Sequence, residues 1–574
     1  MNIFHKQTEQ HRPAHRKDNP SSQGVILLAV LAVLYGIAAT LPAYAQYQLT
    51  FPVWFLAFVG TSGIAFAGFA LANAALDKLA GSIRDERHDE GTPECVRALS
   101  VRNMSVRNVF LICFAFIEVA FLFALLSNYP GLCSPDSNAI LSQVNGQEYY
   151  SDTNRYEGLT NAHPIFYTFL IWLVFKATAF IGSQSISLFV FMFLQVTYVA
   201  AALAWCLTWL AKTGARKAYL IGATAFIVLS PVIASHVIIL WKDIPFAATL
   251  LLLVIHLGEY LKDEKPTRKQ VIELGVLLLL ISLFRNNGYY LALFTLVFLI
   301  IFRPLFRKPA ALVAVALVVF MTVLQGPIFG AFSISKGHFA ESVGIPLQQL
   351  AATVSVDGTI SASDQEVLER ILPLEEWSES YDPSTSNPIK QNELFNDEYL
   401  DTHKREFFAV WAHVLPHNLT TYIRAWVMET YGYWQPGYNT LIGSLTCTAN
   451  DVPATDFFGM GYKPQFIANA LREQFPALLG MGSLIWFSIA TMVFSVIAGR
   501  KGGNRAEKRS VAAIITPYMP LIGLFGTMLI AAPIVSDYRY IFALYLVIPF
   551  LPQLYALSRA DAADAGKGGT SWSR

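Results

Sequence analysis

Residues 108–127 read NVFLICFAFIEVAFLFALLS, and the ten that follow, 128–137, read NYPGLCSPDS. Twenty residues with one charge, Glu118, make a helix about 30 Å long, the thickness of a bilayer's hydrocarbon core. The abrupt change to Pro, Gly, Ser and Asp marks where that helix stops and a polar loop begins. Similar apolar runs lie at 24–45, 53–76, 185–210, 219–240, 244–260, 271–284, 289–302, 311–330, 478–498, 511–532 and 541–557. With 108–127 they predict about twelve transmembrane helices.

Composition agrees. Hydrophobic residues make up 54% of the 574, charged residues only 14%, and mean hydropathy is +0.44, whereas globular domains carry roughly 25% charged residues. The expected fold is an all-α polytopic membrane protein whose solvent is the lipid bilayer. With 41 basic and 40 acidic residues the net charge is +1, which excludes nucleic-acid binding driven by excess positive charge. Five cysteines without a CxxC pair exclude a zinc ribbon, a haem attachment site and a disulfide-dense scaffold.

The loops alternate in charge, and basic loops stay on the cytoplasmic side. Segments 1–23, 77–107, 211–217, 261–270, 303–308, 499–509 and 558–574 hold 28 of the 41 Lys and Arg residues. Both termini are therefore expected inside a multi-pass cell-membrane protein. Basic loops flank 271–302 on both sides, so its two short runs cross as a hairpin, or form a re-entrant pair, turning at Arg285-Asn286-Asn287-Gly288. Ile165–Ile181 is apolar too, but counting it would invert every later loop. It is expected to be an amphipathic helix on the outer interface, with Lys176 reaching to the headgroups. Ala43-Tyr44-Ala45 has the look of a signal cleavage site, yet the preceding run is near full bilayer length and is expected to be an uncleaved anchor.

The chain thus divides into a tail (1–23), two spans with a basic loop (24–107), a core of spans (108–330) and a large external region (331–477). The last spans (478–557) and a second tail (558–574) complete it. The core includes a first external loop at 128–184. Loops as long as these usually carry function or a folded subdomain.

In that first loop an Asp, Asp136, stands just past the membrane, and Asn161-Ala162-His163-Pro164 leads into the juxtamembrane helix. Trp241-Lys242-Asp243-Ile244-Pro245 opens a span on the external side, LFRNNG occupies 283–288, and Ser536-Asp537-Tyr538-Arg539-Tyr540 precedes the final span. Over roughly 105–557 this layout resembles the GT-C superfamily of membrane glycosyltransferases. Within it, the polyprenyl-phosphate-sugar-dependent protein mannosyltransferase and aminoarabinose transferase branches are similar. Closest is a family of uncharacterised bacterial GT-C-like proteins with the same Ser-Pro-Asp-Ser loop. The two N-terminal spans are extra to the common pattern.

The resemblance implies transfer of a sugar from a polyprenyl-phosphate-linked donor to an envelope glycan or protein acceptor on the external face. An acceptor hydroxyl needs a base in the transition state; Asp136 is the first choice and Asp243 the second. The departing phosphate needs fixed cations in a low-dielectric site, for which Lys242, Arg285, Arg424 and Arg539 are candidates. His163 and Asn286 stand beside them as further binding residues, and Tyr433 and Trp434 are candidates to stack on sugar faces. A divalent metal ion is undecided, since Asp136, Asp243 and His163 would ligate one only if they converge. Plainer roles compete: Asp136 as a helix cap, Asp243 as a cap with Lys242 as its surface partner, Arg285 as a turn residue, Arg539 as a headgroup anchor. Arg424 and the 431–436 stretch also suit ordinary packing. Glu118 is expected to hydrogen-bond to a neighbouring helix, His256 and Glu259 to lie at the cytoplasmic interface, and Cys133 to be available for a disulfide with Cys447. Other functions with this layout are a transporter or flippase of envelope precursors, a polysaccharide polymerase or ligase, and an envelope scaffold.

Overall fold

The structure, a computed structural model, describes residues 22–83, 105–147, 149–151, 154–156, 158–261, 264–440, 455–500, 510–531 and 534–559. In chain order the principal helices begin with α1 (Ser22–Tyr47), α2 (Phe51–Ile83) and α3 (Val106–Leu126). Two shorter helices, α4 (Pro135–Val144) and α5 (Ile165–Thr178), precede α6 (Gln184–Lys212). A pair bent by 54° follows, α7 (Lys217–Leu229) and α8 (Pro231–Val237), and then α9 (Asp243–Leu261). Two 17-residue helices, α10 (Arg268–Phe284) and α11 (Asn286–Phe302), lead to α12 (Arg307–Ala331). After many short helices, including α13 (Leu419–Thr430) and α14 (Pro464–Gln474), come α15 (Met481–Gly499), α16 (Val511–Ala531) and α17 (Tyr538–Ser558).

Nine of these helices are long and apolar enough to cross a membrane, ten if the bent pair is one span. The protein is an all-α polytopic membrane protein; the one β-sheet among the described residues is a hairpin of Tyr149–Ser151 against Asn154–Tyr156. The difference from twelve has two local causes. Pro231 lacks an amide hydrogen, so the 219–240 run breaks at Ser230. Arg285, in extended backbone, cuts 271–302 into two helices of about 25 Å each.

Contacts between distant segments sort the bundle into two ends. At one end the Arg216 amide donates to the Ile83 carbonyl (2.7 Å) and Gln553 to the Thr213 carbonyl (3.1 Å). Arg303 there donates to the Tyr260 carbonyl (2.7 Å) and to Thr516 (2.6 Å), and His256 contacts the Gln270 carbonyl (3.0 Å). These are the ends beside the basic loops. At the other end Asp136, His163, Asp243, Arg285 and Arg539 meet. The α10–α11 hairpin runs from the first end to the second and back, because Gln270 and Arg303 lie at one end and Arg285 at the other.

The helix expected on the outer interface is packed against a neighbour. α5 pairs antiparallel with the first half of α6 across the Gly182 turn: Tyr167 donates to Gln195 (2.7 Å) and Thr178 to Ser187 (2.7 Å). It is apolar on nearly every side, burying Tyr167 and Ile171 while exposing Phe169, Trp172 and Leu173. Glu118 accepts from Thr197 of α6 at 2.7 Å, as expected of a carboxyl in a span. Residues within 331–477 build a second core of their own around Leu347, Leu368, Trp377, Leu400 and Phe407.

The hairpin closes on Gly288. A Cβ there would lie 2.1 Å from the Ile281 carbonyl oxygen across the turn, whereas one at Gly222 would meet nothing within 4 Å. Gly288→Ala is expected to cost about 1–3 kcal/mol through overpacking, read as a lower thermal unfolding midpoint in detergent. Gly222→Ala should show no loss.

Candidate functional site

The site is built on a backbone junction. Between α8 and α9 the chain leaves the helical path, and buried peptide groups there must find partners elsewhere. The 129–137 loop supplies them. The Leu132 amide donates to the Ile238 carbonyl (2.8 Å) and the Leu240 amide to the Leu132 carbonyl (2.9 Å). Ser137 donates to the Leu240 carbonyl (2.7 Å), the Trp241 indole to Ser134 (2.6 Å), and Gln195 to the Val237 and Ile239 carbonyls (3.0 and 2.8 Å). Gly131 permits the approach: its φ is +128°, and a Cβ would press Met192 at 2.9 Å.

This junction brings Asp136, in the first turn of α4 behind the Ser134 cap, next to Lys242. Asp136 Oδ2 lies 2.6 Å from Arg539 Nη1 and 3.6 Å from Lys242 Nζ. Arg539 also pairs with Asp537 through Nε at 2.6 Å, so one guanidinium bridges two carboxylates. Its plane rests near the rings of Trp241 and Tyr540. Burial pushes the Asp136 carboxyl up, but Arg539 and Lys242 pull harder, and it sits well below the usual carboxylate range. Asp136 keeps 29% of its side chain exposed, enough for a ligand to reach it.

Lys242 Nζ donates to His163 Nδ1 at 2.9 Å, so that nitrogen is the acceptor and a neutral ring carries its proton on Nε2. Burial first, and then the Lys242 charge, push His163 down to about 3. Asn161 and Asn286 exchange hydrogen bonds (3.2 and 3.0 Å), tying the His163 loop to the α10–α11 break. At that break Arg285 donates to the Tyr540 carbonyl (3.1 Å), stacks on the Tyr540 ring (4.5 Å) and stands 3.4 Å from Asp243. Asp243 is fully buried, and neither carboxylate oxygen accepts a hydrogen bond among the described residues.

The expected site residues fall into two groups. Asp136, His163, Lys242, Asp243, Arg285, Asn286 and Arg539 come together. Asp243 does not cap its helix; it is the buried partner of Arg285, and Lys242 is no surface lysine. Arg424, Tyr433 and Trp434 do not line the cluster as supposed. Arg424 is exposed on α13, where it lines a separate cavity of about 370 Å³ with Gln46, Thr421 and Tyr381. Tyr433 is fully buried behind the cluster, its hydroxyl donating to the Ile534 carbonyl (3.0 Å). Trp434 packs on Trp426 and donates to Thr430 (3.1 Å). Neither ring face is open to a sugar.

Lys242 lies between His163 and Asp136, 2.9 Å from the first and 3.6 Å from the second. Among the described residues no three His, Cys, Asp or Glu side chains gather as a metal site. Cys133 is disulfide-bonded; Cys447 lies outside the described residues. Two participants went unnamed as site residues in the sequence reading, Asp537 and Tyr540. Their signal was present, since both flank Arg539 in the quoted 536–540 stretch.

Residues 152–567 match a family of unknown function (DUF6020). The chain belongs to that family. The match covers most of the chain and takes in His163, Lys242, Asp243, Arg285, Asp537 and Arg539, while Asp136 precedes it. No curated protein and no solved structure matches the chain.

Four residues before the expected sugar platform, Glu429 of α13 is fully buried. Burial pushes its carboxyl up to about 8, against the opposing charge of Lys390. A folded-state value above the unfolded one means the folded protein holds a proton that the unfolded chain releases between roughly pH 4.5 and 8. Stability should therefore fall as pH rises through that window. Thermal unfolding of Glu429→Gln at pH 5.5 and 8.5 is expected to show a smaller decline than the parent.

Proposed function

We propose that this protein is a membrane glycosyltransferase of GT-C type, taking a sugar from a polyprenyl-phosphate-linked donor to a cell-envelope acceptor. The observation that carries this reading is the meeting of Asp136 with Arg539 and Lys242. A carboxylate just past one span is joined to cations at the mouths of two others, at one end of an apolar bundle. The donor needs both: cations where phosphate charge develops, and a carboxylate within reach of an acceptor.

In this mechanism the acceptor oxygen bonds to the anomeric carbon as the bond from that carbon to the phosphate oxygen breaks. The acceptor proton passes to Asp136, and the electron pair leaves on the phosphate, which Arg539, Lys242 and Arg285 hold. His163 stays neutral and steadies Lys242, and Asn286 fixes the His163 loop. Asp243 keeps Arg285 in place from beneath. In this reading the nine long helices, the bent pair and the two 17-residue helices count as twelve crossings, and the bias of Lys and Arg supports termini in the cytoplasm and a site outside.

Two experiments test this. Asp136→Asn keeps the size and turn propensity of the side chain but removes its basicity. Turnover of polyprenyl-phosphate sugars by the purified protein should fall on the order of 10²-fold or more, and full activity in the variant would remove Asp136 from the chemistry. For sidedness, cysteines placed at the exposed residues Ser363 and Ser378 should react with an impermeant thiol reagent in intact cells. Labelling that appears only after lysis would reverse the topology and take the external site with it.

A further inference from the structure

Among the described residues the site contains no idle cation. Its positive side chains are Lys242, Arg285 and Arg539, and each already faces a carboxylate: Asp136 at 3.6 Å, Asp243 at 3.4 Å, and Asp136 with Asp537 both at 2.6 Å. An arriving phosphate therefore has to take a cation from a carboxylate. The four pairings are not equally replaceable. Asp243 is sealed in, with no exposed surface, whereas Asp136 keeps 29% and Asp537 26% of the side chain exposed. Asp136 is also the carboxylate that sits against both Lys242 and Arg539. Arginine binds phosphate through the same planar fork that it offers a carboxylate, so the two anions compete for one geometry.

We propose that Asp136 is a place-holder for the donor's phosphate: the incoming phosphate displaces it from Arg539 and Lys242, and the displacement releases the carboxylate to act on the acceptor. This rests on the glycosyltransferase reading above and adds an order of events to it. While Asp136 is pinned between two cations it attracts no proton, so water and acceptor alcohols are not activated in the empty site. Once phosphate holds the cations, the same carboxylate faces an anion in place of Arg539 and Lys242, and its affinity for a proton rises. The other charged groups around it, Asp243 with Arg285 on one side and Asp537 on the other, keep their pairings, and neutral His163 adds no charge.

Displacement has a thermodynamic signature opposite to that of simple assistance. A carboxylate that competes with the ligand weakens binding by the coupling between them. Removing its charge should tighten binding even as it lowers turnover. The probe is polyprenyl monophosphate without a sugar, its dissociation constant measured on the full-length protein in lipid nanodiscs. Asp136→Asn is expected to bind it on the order of ten-fold more tightly than the parent. Asp537→Asn, which frees the same guanidinium from the other side, should also tighten it, and Arg539→Ala should weaken it. Polyprenol lacking the phosphate should show no difference among these proteins. Unchanged or weaker phosphate binding in both Asn variants would overturn the proposal; if one variant fails to fold, the other decides alone. Tightened binding in a protein that turns over no lipid-linked sugar would leave the exchange standing and remove the glycosyltransferase reading. Turnover with unaltered affinities would do the reverse.

Discussion

The pairing of Leu132 with Ile238 and Leu240 is the constraint on which the site depends. A chain that leaves helical geometry inside a membrane protein exposes peptide groups that lipid cannot satisfy. Here the break between α8 and α9 is satisfied by one short loop from elsewhere in the sequence together with the Gln195 side chain. Asp136 stands four residues after Leu132, and Lys242 two residues after Leu240. Their proximity follows from backbone hydrogen bonds that any change of register would break. The ion pairs contribute the chemistry, but the peptide pairing fixes where they form.

The same dependence explains how Arg539 is placed. The Val535 amide donates to the Ser384 carbonyl (2.7 Å), Thr385 bridges to Ile534, and Tyr433 donates to the Ile534 carbonyl (3.0 Å). The short segment before α17 is thus held by residues from the 331–477 region. A Cβ at Gly432 would lie 2.1 Å from the Val535 carbonyl oxygen, so the two backbones touch. Among the described residues that region carries no side chain of the cluster itself. Its contribution is to set the height at which α17 begins, and with it Asp537 and Arg539.

Much of this was legible in the sequence, for reasons that differ by residue. Apolar runs marked each membrane helix, because lipid contact leaves a signal twenty residues long. The basic loops sorted the helix ends, and the structure gathers those ends together. Asp136, Lys242, Arg285 and Arg539 stood out as charges at the mouths of spans. The direction a side chain faces was not legible. Tyr433 and Trp434 look like a sugar platform in sequence, yet both turn inward, since the α13 helix before them buries Val427, Glu429 and Thr430. Arg424 sits on the exposed face of that same helix. The partnership of residues 136 and 539 spans 403 positions, and no local pattern encodes a contact at that range.

Three aspartates and three cations share the cluster, and their charges cancel within a few ångströms. Beyond about 10 Å, the screening length in moderate salt, such an arrangement presents little net field. The cluster therefore exerts little long-range pull on a charged partner, and the focusing that speeds encounters in sites of one sign is missing here. Recognition happens only at contact. If the partner is lipid-borne, as proposed, it would reach such a site by sliding within the plane of the bilayer, where two dimensions of search replace attraction.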